Sequence, residues 1–229
     1  MTTRLELLPD VYLTAVQTSR FKTACFSLSF LWPLRQEEAG MNALLPSVLL
    51  RGSESAPSIR AIADRLDALC GASVGSLVRK KGEIQLTGLF ADGLEERYAG
   101  EPVFSRLLEL TAELLLRPRT QGGVFVPQIV MQERQKLLDT IESTLDDKAE
   151  YCQTQLLRQM CRGEAYAVGR LGEAGPLAAV DEAALWAHYQ KVLASSRAEL
   201  FYLGSKPAQE VAALLRPLLK DLPRGACVP

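Results

Sequence analysis

The chain has one histidine in 229 residues, and that scarcity excludes more chemistry than any other count. His188 alone cannot supply the two imidazoles of a histidine-rich zinc site, and no second imidazole is left to act as a general base elsewhere. The five cysteines, Cys25, Cys70, Cys152, Cys161 and Cys227, contain no C-x-x-C pair, which argues against a thiolate zinc site as well. An odd, scattered set does not make a secreted disulfide framework. It reads as buried thiols in a reducing cytoplasm. No apolar run reaches the ~20 residues of a membrane span, and residues 1–6 carry no apolar signal core. Charge of one sign is missing too: 26 Lys+Arg face 27 Asp+Glu, a formal net charge of −1. The basic face of a nucleic-acid binder is therefore not expected. Neither G-x-G-x-x-G nor G-x-x-x-x-G-K-[ST] occurs, so dinucleotide-binding and P-loop folds are disfavoured. These absences describe a cytoplasmic, soluble protein with no cofactor, no metal, no membrane and no nucleic-acid partner.

What is present is an ordinary globular composition, 48% hydrophobic and 23% charged. The length suits one large domain or two small ones, with enough chain to bury a core without staples. Residues 11–20 look extended. Residues 23–30 alternate strictly, with Ala24, Phe26, Leu28 and Phe30 on one face, the period of a half-buried strand. From Glu37 the period becomes helical through Met41, Leu44, Leu45, Val48 and Leu49, ending near Gly52. Pro46 in its middle removes one backbone donor and demands an explanation.

A Ser/Pro-rich turn over 53–58 leads to a helix striped by Ile59, Ile62, Leu66 and Leu69, with Gly71 as its stop. Two strands, 73–79 and 83–90, follow around Lys80-Lys81-Gly82. Helices are expected over 101–116, over 127–162 with a break near Asp146-Asp147, over 181–193 and over 207–219, with a strand at 198–203. Hairpin-like strand pairs separated by helical blocks predict an α+β fold, a mostly antiparallel sheet packed against helices.

One stretch, Gly40 to Ser53, resembles a landmark of the peptidase M16 superfamily, which holds insulinase, pitrilysin and the mitochondrial processing peptidases. There a helix carries H-x-x-E-H and exits through a short Gly-Ser/Thr turn. This chain keeps the length, the apolar filling and the Arg51-Gly52-Ser53 exit. The histidine, glutamate and histidine positions hold Ala43, Pro46 and Ser47. The family's later helix carries E-R-x-x-x-x-x-E, two glutamates on one face. Glu133-Arg134 matches its first half, and the second glutamate, a zinc ligand, is replaced by Thr140.

The resemblance covers nearly the whole chain and implies a single domain over 1–229, equivalent to the first of the family's two tandem domains. It implies a non-catalytic member, because a hydrolytic zinc needs about three ligands and a base. Glu133 is then expected to pair with an arginine or to cap a network.

Family architecture implies two further things. A metal-free member works beside a homologous subunit that carries the zinc motif, and it binds or positions a peptide or protein substrate. The strand that pairs with substrate corresponds to Val74, Gly75, Ser76, Leu77 and Val78, with Gly75 admitting a close backbone approach. A strand guarded by its own basic tip, Arg79 to Lys81, explains the same residues equally well. A stand-alone peptide-binding scaffold without an enzymatic partner is the alternative function. Glu142, Asp146 and Asp147 could in principle hold a hard cation, but a solvated helix face explains them more simply.

Overall fold

A computed structural model describes residues 2–144 and 146–227. In chain order the elements are β1 (Thr2–Leu8), β2 (Val11–Gln17), β3 (Thr23–Pro33), α1 (Gln36–Leu49), α2 (Ile59–Asp67), β4 (Ser73–Lys81), β5 (Ile84–Leu94), α3 (Glu96–Ala99), α4 (Val103–Leu116), β6 (Thr120–Gln121), β7 (Val124–Phe125), α5 (Pro127–Ser143), α6 (Lys148–Met160), α7 (Ala174–Ala178), α8 (Glu182–Ser195), β8 (Arg197–Gly204) and α9 (Ala208–Leu219). Six strands form one sheet in the order β1-β2-β8-β3-β5-β4. Only the β2–β8 pairing is parallel. The α+β expectation holds.

The alternation read along residues 23–30 runs on to Trp32. Ala24, Phe26, Leu28, Phe30 and Trp32 are buried and turn toward the helices. Their alternates Cys25, Ser27, Ser29 and Leu31 lie on the opposite face, where among the described residues the lining of a cleft comes from strands. Leu200 and Tyr202 of β8 and Leu89 and Ala91 of β5 continue the buried layer, because a period of two fixes the face of every residue once the register is set.

The sequence reading did not anticipate β1, although Leu5 and Leu7 alternate with Arg4 and Glu6. It pairs antiparallel with β2 across Pro9-Asp10, where Asp10 takes φ 57°. The Gly122-Gly123 loop is the turn of a small β6–β7 hairpin. The helical region after Pro127 divides where the acidic pair predicts: Asp147 caps α6 by accepting from Ala149 N and Glu150 N, both at 3.0 Å. That role places Asp147 at a helix start, and among the described residues no three His, Cys, Asp or Glu side chains gather where they could hold a metal ion.

α1 is tied to the sheet and to α8 by a buried polar chain. His188, 5% exposed, meets Asn42 Oδ1 through Nε2 at 2.7 Å. Asn42 Nδ2 donates to Gln85 Oε1 at 2.9 Å. Gln85 Nε2 donates to the carbonyls of Ala39, at 3.0 Å, and Arg170, at 2.7 Å. Each member of this chain has a partner, the condition under which a buried polar network stabilises rather than weakens a core. Because Asn42 spends its amide on Gln85, its oxygen faces His188, which therefore carries a proton on Nε2. The imidazole also packs edge-on against Trp32, centroids 5.9 Å apart. The single histidine is a core residue.

Burial pushes the His188 pKa down to about 4; Glu38 pulls it up and Lys191 adds to the lowering. The folded chain thus holds the imidazole neutral where the unfolded chain, with its ordinary 6.5, protonates it. The group's contribution is complete above about pH 6.5 and is lost as pH falls toward 4, by roughly 3 kcal/mol. Urea denaturation between pH 4 and 7 should show that loss, and a His188→Gln variant should show a flatter slope over the same interval. Parallel slopes for the two proteins would refute the assignment.

Candidate functional site

Three of the four residues at the degenerate motif positions, Ala43, Pro46 and Ser47, lie on α1, and the fourth, Thr140, on α5. Ala43 and Pro46 are buried and Ser47 is half-buried. The helix runs unbroken through Pro46, despite a residue that usually costs about 3 kcal/mol in a helix interior. Proline cannot donate to the carbonyl four residues earlier, that of Asn42. That carbonyl is buried, and Thr87 Oγ1 of β5 donates to it instead at 2.5 Å. The hydroxyl supplies the hydrogen bond that residue 46 withholds, so no orphan acceptor is left in the core. The position expected to match the family's glutamate thus holds a proline and, behind it, a threonine serving the backbone.

The retained carboxylate is also committed. α5 begins with Pro127 at its first turn, where a missing N–H is harmless, and turns Val130 and Glu133 inward. Glu133 accepts from Arg51, just past the end of α1, and from Lys136 at 3.0 Å. The expectation of an arginine partner is met. This pair joins the two helices that bear the motif positions. Thr140 is exposed, and its hydroxyl donates to the Lys136 carbonyl at 2.8 Å. Among the described residues no hydrogen bond joins Thr140 to Ser47.

Beyond Arg51, the exit turn is gathered by one carboxylate that sequence reasoning overlooked. Glu113 of α4 accepts from Ser53 Oγ at 2.7 Å, from Ser55 N at 3.0 Å and from the Ser55 hydroxyl, and pairs with Arg65 at 3.3 Å. Burial alone would raise its pKa; the hydrogen bonds from Ser55 and Ser53, with Arg65, outweigh that and hold it below the ordinary carboxylate range. Ser53 and Ser55 are turn-holding side chains here, with no nucleophilic arrangement around them.

The five peptide-facing candidates, Val74, Gly75, Ser76, Leu77 and Val78, fall on β4, the outermost strand next to β5. Among the described residues no strand pairs with its other side. Gly75 does not open a gap: an added Cβ would lie 2.4 Å from the ring of Phe90, so the cross-strand aromatic fills the space that the glycine leaves. Lys80 points to the helix side, donating to the carbonyls of Tyr166 and Val168, with its ammonium 4.0 Å from the Tyr166 ring centroid. The basic tip is thus partly a latch for the 165–168 turn.

No protein-family model matches the chain. A curated relative, the probable inactive metalloprotease YmfF of Bacillus subtilis (strain 168), is 31% identical over 207 residues, which is 90% of this chain and 49% of that protein. A crystal structure of a conserved protein from Enterococcus faecalis V583 superposes with a TM-score of 0.90 at 26% identity, over 99% of this chain and 54% of that one. A crystal structure described as a peptidase M16 inactive domain, from Pseudomonas fluorescens, superposes with a TM-score of 0.78 at 17% identity, over 100% of this chain and 52% of that one. The chain has the fold of that peptidase M16 inactive domain. It spans about half the length of the curated relative and of both solved structures. Within the M16 frame, the four motif positions hold alanine, proline, serine and threonine, none of which supplies a zinc ligand or a proton-transferring carboxylate. No helix of the described residues is long and apolar enough to cross a membrane.

Thr87 and Pro46 should be coupled. Thr87→Val strands the Asn42 carbonyl and should destabilise the M16 domain by about 1–2 kcal/mol. In a Pro46→Ala background, where residue 46 can donate again, the same change should cost less than about 0.5 kcal/mol. A double-mutant cycle by chemical denaturation measures the difference; equal costs in both backgrounds would show that the hydroxyl does not replace the missing N–H.

Proposed function

We propose that this M16 domain is a non-catalytic subunit or half that holds an extended peptide along β4, and that it works beside a homologous domain bearing H-x-x-E-H. The observation that carries the reading is a contrast. Every side chain needed to grip and use zinc is replaced, while the sheet and its outermost strand are intact. Strand addition draws on backbone N–H and C=O groups and on alternate side chains, so it survives the loss of the metal. The match to about half of a relative and of solved structures twice its length supports a second, homologous domain as the partner. Enclosing a peptide between two such domains would fix its register and exclude water, and positioning of that kind contributes to rate without any reacting group on this chain. The five cysteines are not the buried thiols expected, since Cys70 and Cys152 are exposed and the others half-buried, but they are free of disulfides; that fits a reducing compartment, and the reading places the protein in the cytoplasm.

Three measurements test it together. After incubation with zinc and dialysis, metal analysis should find far less than one zinc per chain. Peptidase assays of the chain alone should give no zinc-dependent turnover. Addition of the chain to a homologous H-x-x-E-H domain should raise that domain's peptide turnover. Stoichiometric zinc on this chain would overturn the non-catalytic reading, and a partner whose turnover is unchanged by the chain would overturn the subunit role.

A further inference from the structure

The face of the sheet away from the helices bears a pattern that selects among peptides. Three cross-strand rows can be read from the register. One row holds Gly75, Phe90, Ser27 and Phe201; the next holds Leu77, Gly88, Ser29 and Glu199; the next holds Arg79, Leu86, Leu31 and Arg197. At Gly88 a Cβ would lie 2.0 Å from the Leu28 carbonyl oxygen, so no side chain can stand there. Small residues in the middle and larger ones around them leave a cleft of about 650 Å³ that includes Leu77, Arg79, Leu86 and Phe90 in its lining. Phe90 is 38% exposed, an aromatic left at the rim of this cleft and over Gly75.

Along β4 the residues of this face are Gly75, Leu77, Arg79 and Lys81, in that order. The first two present apolar surface, the Phe90 ring and the Leu77 side chain. The last two are exposed cations, and among the described residues neither meets a carboxylate. Lys80 between them is spent on the Tyr166 and Val168 carbonyls. The free edge therefore changes from apolar to cationic within one strand length.

Resting on the peptide-binding reading above, we propose that β4 selects extended peptides with an acidic end: acidic side chains opposite Lys81 and Arg79, then apolar side chains opposite Leu77 and Gly75, each two residues apart. Directly opposite residues on an added strand are close enough for such pairs to interact, and an antiparallel strand, the slightly more stable pairing, places the acidic residues at its N-terminal end. Complementary charge at a rim also fixes register and suppresses wrong partners.

The test uses a fluorescein-labelled octapeptide, Glu-Thr-Glu-Thr-Leu-Thr-Leu-Thr, and two twins in which both glutamates are glutamine or lysine. Fluorescence anisotropy with the full chain should rank them Glu, Gln, Lys from tightest to weakest, with at least about threefold per step in low salt, narrowing as salt is raised. An Arg79→Glu/Lys81→Glu variant, altered only at exposed positions, should reverse the order. Equal affinity for all three peptides would overturn the charge selection while leaving peptide binding in place. An Arg79→Gln/Lys81→Gln variant that binds all three more tightly than the natural chain would show that the cations guard the edge, also overturning it. No binding of any peptide would remove both readings.

Discussion

The hydrogen bond from Thr87 to the Asn42 carbonyl is the constraint on which the packing of α1 depends. A proline inside a helix leaves one carbonyl without a partner, and in a buried helix that carbonyl cannot turn to water. α1 remains straight enough to pack only because a strand of the sheet presents a hydroxyl at that level. The same few residues then join the rest: Asn42 reaches His188 and Gln85, and Gln85 reaches the Ala39 and Arg170 carbonyls. α1 is held by a polar chain running from α8 to β5. The polar groups at its centre are all engaged with one another.

A buried carboxylate needs a counter-charge, since removing one partner of such a pair leaves an uncompensated charge in a poorly solvated place. Glu133 obtains it from Arg51 and Lys136. Arg51 belongs to the short exit after α1, whose next residues are pinned by Glu113 to α4. One cation therefore fixes the spacing of α1 and α5 at the place where the motif positions lie, and the exit turn cannot move without disturbing that pair. The surroundings of Ala43, Pro46 and Ser47 are organised as packing, with ion pairs at the boundary.

Much of the architecture was legible because it rests on local periodicity. The alternation of Ala24, Phe26, Leu28 and Phe30 fixed β3 and its faces, the Lys80-Lys81-Gly82 link marked a hairpin, and Asp146-Asp147 marked the break between α5 and α6. β1 escaped because its inward residues, Leu5 and Leu7, are only two, set among Thr, Arg and Glu. What could not be read is what depends on residues distant in sequence. Pro46 announced an unsatisfied carbonyl, yet nothing in the chain says that Thr87 will reach it, because that follows from the pairing of β5 with β3. Gly75 invited the idea of a close backbone approach, and only the β4–β5 register reveals the Phe90 ring in that space. An arginine partner for Glu133 was expected from chemistry alone; which arginine, and that Lys136 joins it, came from the fold.

Catalysis and recognition make different demands on a scaffold, and that difference explains how one could be lost without the other. Hydrolysis by zinc requires several side chains to converge within a fraction of an ångström, so replacing any ligand abolishes it. Recognition along a strand edge requires only that the outermost strand stay paired on one side and open on the other. β4 meets that requirement through the continuous backbone pairing of Ser73 to Lys81 with β5. The basic tip sharpens the point. A lysine that merely repelled other strands would have no need to fasten a neighbouring turn, yet Lys80 holds the Tyr166 and Val168 carbonyls while Arg79 and Lys81 stay exposed to either side. The division places one cation in the structure and leaves two for whatever lies alongside, an arrangement suited to a surface that discriminates by charge.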